Sequence, residues 1–408
     1  MRVLFLTQVF PYPLDAGPKV RAYYVLRQLA RQHTVTLLSF VRASDTAAAQ
    51  AVVAADCVGG VHSVPISRSR WQDAWFFIKS VFTGEPLLIT RDALPAMFAK
   101  LRELLASQTF DAIHTDQIWM VPYADAAVRW LHEQGKPRPR LVLDQHNATY
   151  LVPQRLAAAS KNLLVKAVWW REAQVMARYE AAACQRFDRV VTLTPEDNAA
   201  LQRIMPSEHR RDFPVIPICI DPASITASAQ LSDQPQVLFL GGLHWPPNAD
   251  GVRWFAREVW PDIIAELPAA RCVVVGKQPP SELQQAPPTG WQFPGFVPDP
   301  QPYWQAARVF IVPLRAGGGM RVKILDAWAH ACPIVATSIG AEGIQYHAGT
   351  DILIADQPVE FAAAVLRVLR EPVFGQQLAQ AGRATVAANY NWRTVYAAWD
   401  KIYDFSDL

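Results

Sequence analysis

The stretch V-P-L-R-A-G-G-G-M-R-V-K-I-L-D-A-W-A-H, from Val312 to His330, decides the fold. An apolar run at 308–313 reads as a buried strand and breaks into three consecutive glycines, Gly317, Gly318 and Gly319. After Met320, Arg321 and Lys323 stand on what reads as the first turn of a helix, with Asp326 and the apolar Ile324, Leu325 and Trp328 farther along it. Strand, glycine turn and helix in that order make the repeating unit of an open parallel sheet, whose ligands gather beyond the carboxyl ends of the strands. The turn also has the chemistry to hold a diphosphate. Glycine lets backbone amides approach a ligand closely, and a helix N-terminus carries partial positive charge. That dipole disfavours cations, so two of them at one helix start imply an anion that both meet. A carboxylate one turn later is spaced to take a sugar hydroxyl.

The same grammar runs through the chain. Strands are expected at 2–7, 34–41, 61–66, 111–115, 140–145 and 188–194, with helices at 17–32, 92–107, 167–187 and 195–205. Strands return at 236–241, 271–276, 308–313, 333–337 and 351–355, with helices at 249–266, 320–331 and 359–370. Strands alternating with helices imply parallel sheets covered on both faces, and such strands are continuous apolar runs, as at Val273, Val274 and Val275. At 214–235 the helical period lapses and Pro, Ser and Ala accumulate, after which strand, glycine turn and helix restart. The fold class is therefore α/β with two Rossmann-like doubly wound domains, over 1–222 and 223–390, expected to face a central cleft.

Composition bounds the function. A chain of 408 residues exceeds one ordinary core, and 51% hydrophobic with 18% charged residues is globular. A net charge of +3 with no basic, aromatic-interleaved stripe argues against nucleic acid as a partner. The five cysteines (Cys57, Cys184, Cys219, Cys272, Cys332) are scattered and never form C-x-x-C, which argues against a zinc site or a disulfide framework. The apolar start, Met1 to Thr7, is too short for a signal peptide, and no run approaches the ~20 apolar residues of a spanning helix. A cytoplasmic protein is expected, with room for peripheral contact with the inner membrane.

The order and spacing of F-L-G-G-L-H-W-P-P-N-A-D-G at 239–251, V-V-V-G at 273–276 and the stretch from Pro294 to Gly343 resemble GT-B-type glycosyltransferases, and more narrowly the retaining enzymes of glycosyltransferase family 4. The resemblance covers nearly the whole chain, and its nearest flavour is a bacterial exopolysaccharide sugar transferase. It implies a nucleotide diphosphate sugar as donor, bound mainly by the second domain, and a glycan or lipid-linked acceptor on the first. It implies a final helix, 391–408, packing back on the first domain, and neither cofactor nor metal. UDP-sugars are favoured over GDP-sugars.

Residue by residue, the resemblance puts Gly17 near the donor, with Arg21 reaching inward on the acceptor side. Asp144, His146 and Asn147 end a strand as D-Q-H-N; His146 is expected beside the donor sugar and Asn147 beside the acceptor. His114 and Asp116 end another strand, where Asp116 also suits a helix cap. Gly242 and Asn248 lie in the first loop of the second domain, where many members carry an Arg and a Lys that grip the phosphates. Here His244, Trp245, Pro246 and Pro247 stand instead, and the duty passes to Arg321 and Lys323, which with His146 form the expected catalytic set. Gly317, Gly318, Gly319 and Met320 would offer amides to the diphosphate. Asp326 matches the second acid of the family's paired-Glu motif and would hold the ribose. The first acid falls on Gly318, and Glu342 is its stand-in.

Two readings of other classes stay open at this point. The missing acid fits a catalytically inactive sugar-binding partner of a polysaccharide assembly complex, and a nucleotide-sugar epimerase also uses Rossmann-like domains. Trp71, Trp75, Phe76, Phe77 and Phe82 with Lys79, and Trp169 and Trp170 between Lys166 and Arg171, suit a membrane interface. Packing against the sheet is the commoner use of such aromatics.

Overall fold

The computed structural model describes residues 1–43, 45–66, 70–160, 162–227 and 232–406, without the side chains of residues 70–74, 77, 78 and 159. The chain divides into two compact units, Met1–Ile218 with Tyr396–Leu408, and Cys219–Val395.

The first unit is built on six parallel strands: β1 (Arg2–Thr7), β2 (Thr34–Val41), β3 (Val61–Pro65), β4 (Ala112–Asp116), β5 (Arg140–Gln145) and β6 (Arg189–Thr192). Their order is β3-β2-β1-β4-β5-β6. Helices α1 (Gly17–Ala30), α2 (Ala47–Ala54), α3 (Arg70–Thr83), α4 (Leu87–Asp92), α5 (Pro95–Ser107), α6 (Val121–Glu133), α7 (Leu151–Ala159), α8 (Leu163–Arg186) and α9 (Pro195–Ile204) cover it. The strands form because their runs are β-branched or large and apolar, and both faces are covered, so Val3 to Leu6 and Leu141 to Leu143 are all buried.

The second unit repeats the plan with β7 (Gln236–Leu240), α10 (Pro246–Trp254), α11 (Trp260–Glu266), β8 (Arg271–Val275), α12 (Ser281–Gln285), β9 (Trp291–Gly295), α13 (Gln301–Ala306), β10 (Val309–Val312), α14 (Val322–Ala329), β11 (Ile334–Ala336), β12 (Leu353–Ile354), α15 (Pro358–Arg370), α16 (Pro372–Asn389) and α17 (Trp392–Val395). The sheet order β12-β11-β10-β7-β8-β9 is the first unit's order read from the other edge. In each sheet the strand order reverses beside the unit's first strand, between β1 and β4 and between β7 and β10. Crevices for ligands open at such points, beyond the carboxyl ends of the strands.

The single helix expected over 391–408 is instead two short ones, Trp392–Val395 and Ala398–Ile402, and three further elements differ from the sequence reading for identifiable reasons. The helix expected over 249–266 starts at Pro246 and is interrupted by a π-turn at Phe255–Val259. Pro261 has no N–H to give the carbonyl four residues back, so the ladder re-spaces just before it. The strand β9 was not expected, because W-Q-F-P-G is neither continuous nor cleanly alternating. It is an edge strand, where a proline such as Pro294 is tolerated. The helix expected from 320 begins at Val322, so Arg321 precedes it and only Lys323 is in its first turn.

All five cysteines are free and buried, and burial pushes the Cys57 and Cys184 thiols up to about 12. No helix among the described residues is long and apolar enough to cross a membrane.

Candidate functional site

In the second unit the reversal point gathers β7, β10 and the helix after each. Gly241 and Gly242 leave β7, and Gly241 N–H stays in the sheet, donating to Val275 O at 2.9 Å. Lys323, in the first turn of α14, sends its Nζ across this turn to Asn248 Oδ1 at 3.0 Å. Asn248 is itself oriented by donating to Gly242 O at 2.8 Å. The ammonium also sits 4.7 Å over the Phe239 ring. A Cβ on Gly241 would lie 2.9 Å from that Nζ and 3.0 Å from Asn248 Nδ2, so a side chain there would displace the amine. Burial disfavours the ammonium and the Arg321 charge adds to this, so Lys323 is lowered to about 7 despite Asp326. Burial pushes the Asp326 carboxyl up to about 7, with Lys323 opposing. Burial that disfavours the ammonium beside a bare glycine turn makes this a position where an anionic ligand would favour the charged form.

Arg321 does a different job from Lys323. Its guanidinium donates to Gly318 O at 2.9 Å and to Ile339 O at 3.3 Å, and lies 3.7 Å from Glu342 Oε2. It thereby holds the Gly317–Gly319 loop in shape, with Gly317 at φ 134° and Gly319 at φ 77°, both favoured by glycine. Glu342, the stand-in acid, is thus at Arg321. Gly318 is exposed, and Met320 is half-buried just before α14.

In the first unit, parallel register puts Thr7 beside Asp116 and Asp116 beside Asp144. Two carboxylates on neighbouring strands of a buried sheet need cations, and the fold supplies two. Arg21, on α1 and 0% exposed, meets Asp144 with Nε and Nη2 at 2.9 Å each. Its Nη1 donates to Pro217 O at 2.7 Å and Tyr396 Oη at 3.1 Å, and its guanidinium lies 5.1 Å from the Tyr396 and Trp399 rings. Arg21 is therefore spent inside the fold. Burial would raise the Asp144 carboxyl, but Arg21 and His146 hold it well below the usual carboxylate range.

His146 is the second cation. Its Nε2 lies 2.8 Å from Asp116 Oδ1 and 3.7 Å from Asp144 Oδ2. Burial works against the imidazolium, yet the two carboxylates outweigh it and raise His146 to about 9. Asp116 also accepts from Thr7 Oγ1 at 2.6 Å, so it serves this cluster and is not a helix cap. His114 stacks on Phe5 at 4.3 Å and faces Tyr403 Oη through Nδ1 at 2.9 Å; burial lowers it to about 4 and leaves it neutral. His114, Asp116 and Asp144 bring ligand atoms within 4.8 Å of one another. The guanidinium and imidazolium already neutralise both carboxylates there.

Of the other expected residues, Gly17 opens α1 ahead of Pro18, with no side-chain cap on the helix. Asn147 is exposed one residue beyond His146. Sequence reasoning missed three residues around this loop. Glu180, fully buried on α8, accepts from Gln145 Nε2 at 2.5 Å, Thr149 N at 2.7 Å and Tyr150 N at 2.8 Å. Burial pushes its carboxyl up to about 7 against those bonds. Gln117 and Trp119 follow β4 and, with Gln145, His146, Asn147 and Val152, line a pocket. A buried Glu in a long helix carries no local sequence signal, and Q-I-W after a strand carries little.

The aromatic segments sit largely outside the core. Trp75, Phe82 and Trp170 are 64%, 86% and 61% exposed, with Leu163 and Leu164 at 80% and 79%. The side chains of Trp71 and Phe77 lie outside the described residues. Arg171 donates to Ser80 O at 2.6 Å, which brings the Trp170 and Phe82 segments side by side. The expectation of core packing therefore fails for this surface.

Comparison with known proteins places this geometry. Residues 16–214 match the model of the glycosyl transferase 4-like domain, and residues 234–371 that of glycosyl transferases group 1. An uncharacterised 44.6 kDa protein in the cps region of Klebsiella pneumoniae is 26% identical over 171 residues, 40% of this chain. The match spans only 44% of that relative's length. Among solved structures, sucrose-phosphate synthase from Thermosynechococcus elongatus aligns at a TM-score of 0.70 with 17% identity, covering 99% of this chain and 98% of its own. HepE from Anabaena, solved with UDP and glucose, aligns at 0.67 with 14% identity, covering 99% of this chain and 100% of its own. TarM from S. aureus aligns at 0.67 with 8% identity, covering 99% and 100%.

Proposed function

The chain belongs to the GT-B glycosyltransferases, as a 4-like domain followed by a group 1 domain, and from that premise we propose that it moves a sugar from a nucleoside diphosphate sugar to a hydroxyl of a glycan or lipid-linked acceptor, with the anomeric configuration retained. One observation carries the donor half: the Lys323 ammonium, oriented by Asn248 over a turn where a Cβ on Gly241 would push the amine aside. A diphosphate there would restore the charge that burial withholds. UDP is favoured as the base, supported by the fold's likeness to HepE, solved with UDP and glucose; GDP is the runner-up. Work in surface-polysaccharide synthesis is supported by likeness to the cps-region protein.

In the reaction the bond from the anomeric carbon to the β-phosphate oxygen breaks, and the electron pair leaves with the diphosphate. Lys323 and the amides of the Gly317–Met320 loop take up that charge, with no metal in this reading. The acceptor oxygen bonds to the same face of the anomeric carbon, and its proton passes to the departing phosphate. Asp326 takes the ribose. Losing one such charge-stabilising group costs on the order of 3 kcal/mol of barrier. The protein acts at the cytoplasmic face of a membrane, in peripheral contact with it.

The test is calorimetry of the purified chain against a panel of UDP- and GDP-sugars, with Lys323→Ala alongside. One donor should bind, and the substitution should weaken it at least tenfold without unfolding the protein. A folded chain that binds no nucleotide sugar overturns the reading. Donor binding without turnover on any glycan or lipid-linked acceptor overturns its catalytic half.

A further inference from the structure

Residues 146–150 join β5 to α7, and carboxylates from two other helices hold them. Glu180, from the middle of α8, accepts from Thr149 N–H at 2.7 Å on Oε1 and from Tyr150 N–H at 2.8 Å on Oε2. Asp197, on α9, accepts from Ala148 N–H at 2.9 Å. Three consecutive backbone amides thus end on side chains of other elements. Glu180 Oε1 also accepts from Gln145 Nε2 at 2.5 Å, and the same Nε2 donates to Asn147 O at 2.7 Å. Gln145 and Asn147, the neighbours of His146 on either side, are therefore tied to one carboxylate that is 0% exposed.

The arrangement asks for acceptors. Gln145 Nε2, Thr149 N and Tyr150 N all donate, and an ionised carboxylate offers two acceptor oxygens with no proton of its own. Burial pushes the carboxyl up to about 7, against the amides that steady its charge. In the neutral form a proton has to be placed among donors. Rotating the Gln145 amide would offer it Oε1, but that oxygen would then face Asn147 O, and Asn147 would lose its tie. The loop thus has its full set of bonds only while Glu180 is ionised. Around it stand Cys184, one turn along α8 and pushed up to about 12 by burial, and Tyr150, also raised by burial. Neither changes charge near neutral pH. Arg211 donates to Cys184 O at 3.0 Å, Arg203 of α9 meets the Tyr150 hydroxyl, and Asp197 faces the loop at Ala148.

We propose that Glu180 is a positioning residue for sugar transfer: its ionised carboxylate holds the 145–150 loop in the one conformation that sets His146 and Asn147 for the reaction. The inference rests on the glycosyltransferase reading for the reaction, but not for the link between Glu180 and His146. Glu180 touches no ligand in this role. It acts through Gln145 and through the Thr149 and Tyr150 amides, while Asp116 fixes the His146 ring from the opposite side with Oδ1 2.8 Å from Nε2. Small displacements of a group that meets the substrate are costly to rate, which is why a loop carrying two such groups is tied down at consecutive amides.

The experiment uses the full chain and reads release of nucleoside diphosphate from the panel of UDP- and GDP-sugars, with water as acceptor, at saturating donor across neutral pH. Glu180→Gln keeps the shape of the neutral acid. It should lower kcat about tenfold at about pH 8 while donor KM holds, and the two rates should converge below about pH 6, where the wild-type carboxyl is protonated. In chains with isotope-labelled histidine imidazoles, the NMR titration of His146 should move to lower pH in the variant, because the loop no longer holds the ring against Asp116. Gln145→Met cuts the tie to Asn147 and leaves the carboxylate in place. It should lower kcat about fivefold with KM again unchanged, and it carries the test should Glu180→Gln not fold. A merely structural Glu180 would move Tm and leave the kcat of the folded chain unchanged at every pH. That result, a rate loss independent of pH, or an unmoved His146 titration overturns the proposal. If the wild-type chain releases nucleotide from no donor, the transferase reading falls, and the His146 titration alone decides whether Glu180 sets the loop.

Discussion

His146 and Asp116 form a buried ion pair across the ends of β5 and β4, with Nε2 and Oδ1 2.8 Å apart. The pair exists because register sets Asp116 beside Asp144, and the two carboxylates together outweigh the cost of burying an imidazolium. His146 is raised from 6.5 to about 9 in the folded chain. A raised histidine stabilises fully below its unfolded pKa, and that stability is lost as pH rises through the folded one. The cost of His146→Gln, measured by urea unfolding, should therefore be large near pH 6 and shrink by on the order of 3 kcal/mol by about pH 9.5. A cost independent of pH would show that His146 is neutral when folded.

Arg21 and Asp144 are both fully buried and meet through two bonds. Arg21→Met leaves the carboxylate without its strongest partner, which should cost about 3–5 kcal/mol in chemical denaturation. Adding Asp144→Asn should recover part of it. A fully stable single variant would mean that His146 alone suffices to neutralise Asp144.

Lys323 is lowered to about 7 in the free chain, and a bound diphosphate favours its charged form. UDP binding should therefore take up a proton above about pH 7, and affinity should fall as pH rises through that value. Calorimetry in buffers of different ionisation enthalpy reads the uptake directly. Lys323→Met should abolish both effects.

Gly241→Ala tests the cradle without removing a charge. Its Cβ would stand 2.9 Å from Lys323 Nζ, and the flexible amine has to move. UDP affinity should fall about tenfold, while stability changes by no more than about 1 kcal/mol.

Leu163, Leu164 and Trp170 protrude beside Lys166 on α8, next to Phe82 and Lys79 on α3. From Asn147 to Arg171 the sequence has four cations and no acid. The chain should sediment with vesicles containing anionic lipid and less with neutral ones, and Leu163→Glu with Leu164→Glu should abolish the association. Equal binding to both vesicle types would remove the electrostatic half of this contact.

What is local could be read from single residues and their neighbours. The apolar runs at 309–312 and 141–143 could only be doubly covered strands, and Gly317 to Gly319 could only be a turn, because side-chain volume and φ freedom belong to single residues. Lys323 was legible for the same reason, as a cation out of place at a helix start. Partners came from the fold. Arg21 had looked available to a ligand, yet it closes on Asp144, 123 positions away. Asp116 had looked like a helix cap, yet parallel register hands it to His146. Glu180 reaches the Gln145–Tyr150 loop from the middle of α8. The free energy of a buried charge or amide depends on which groups the fold brings within hydrogen-bonding distance of it, and no stretch of contiguous sequence carries that information.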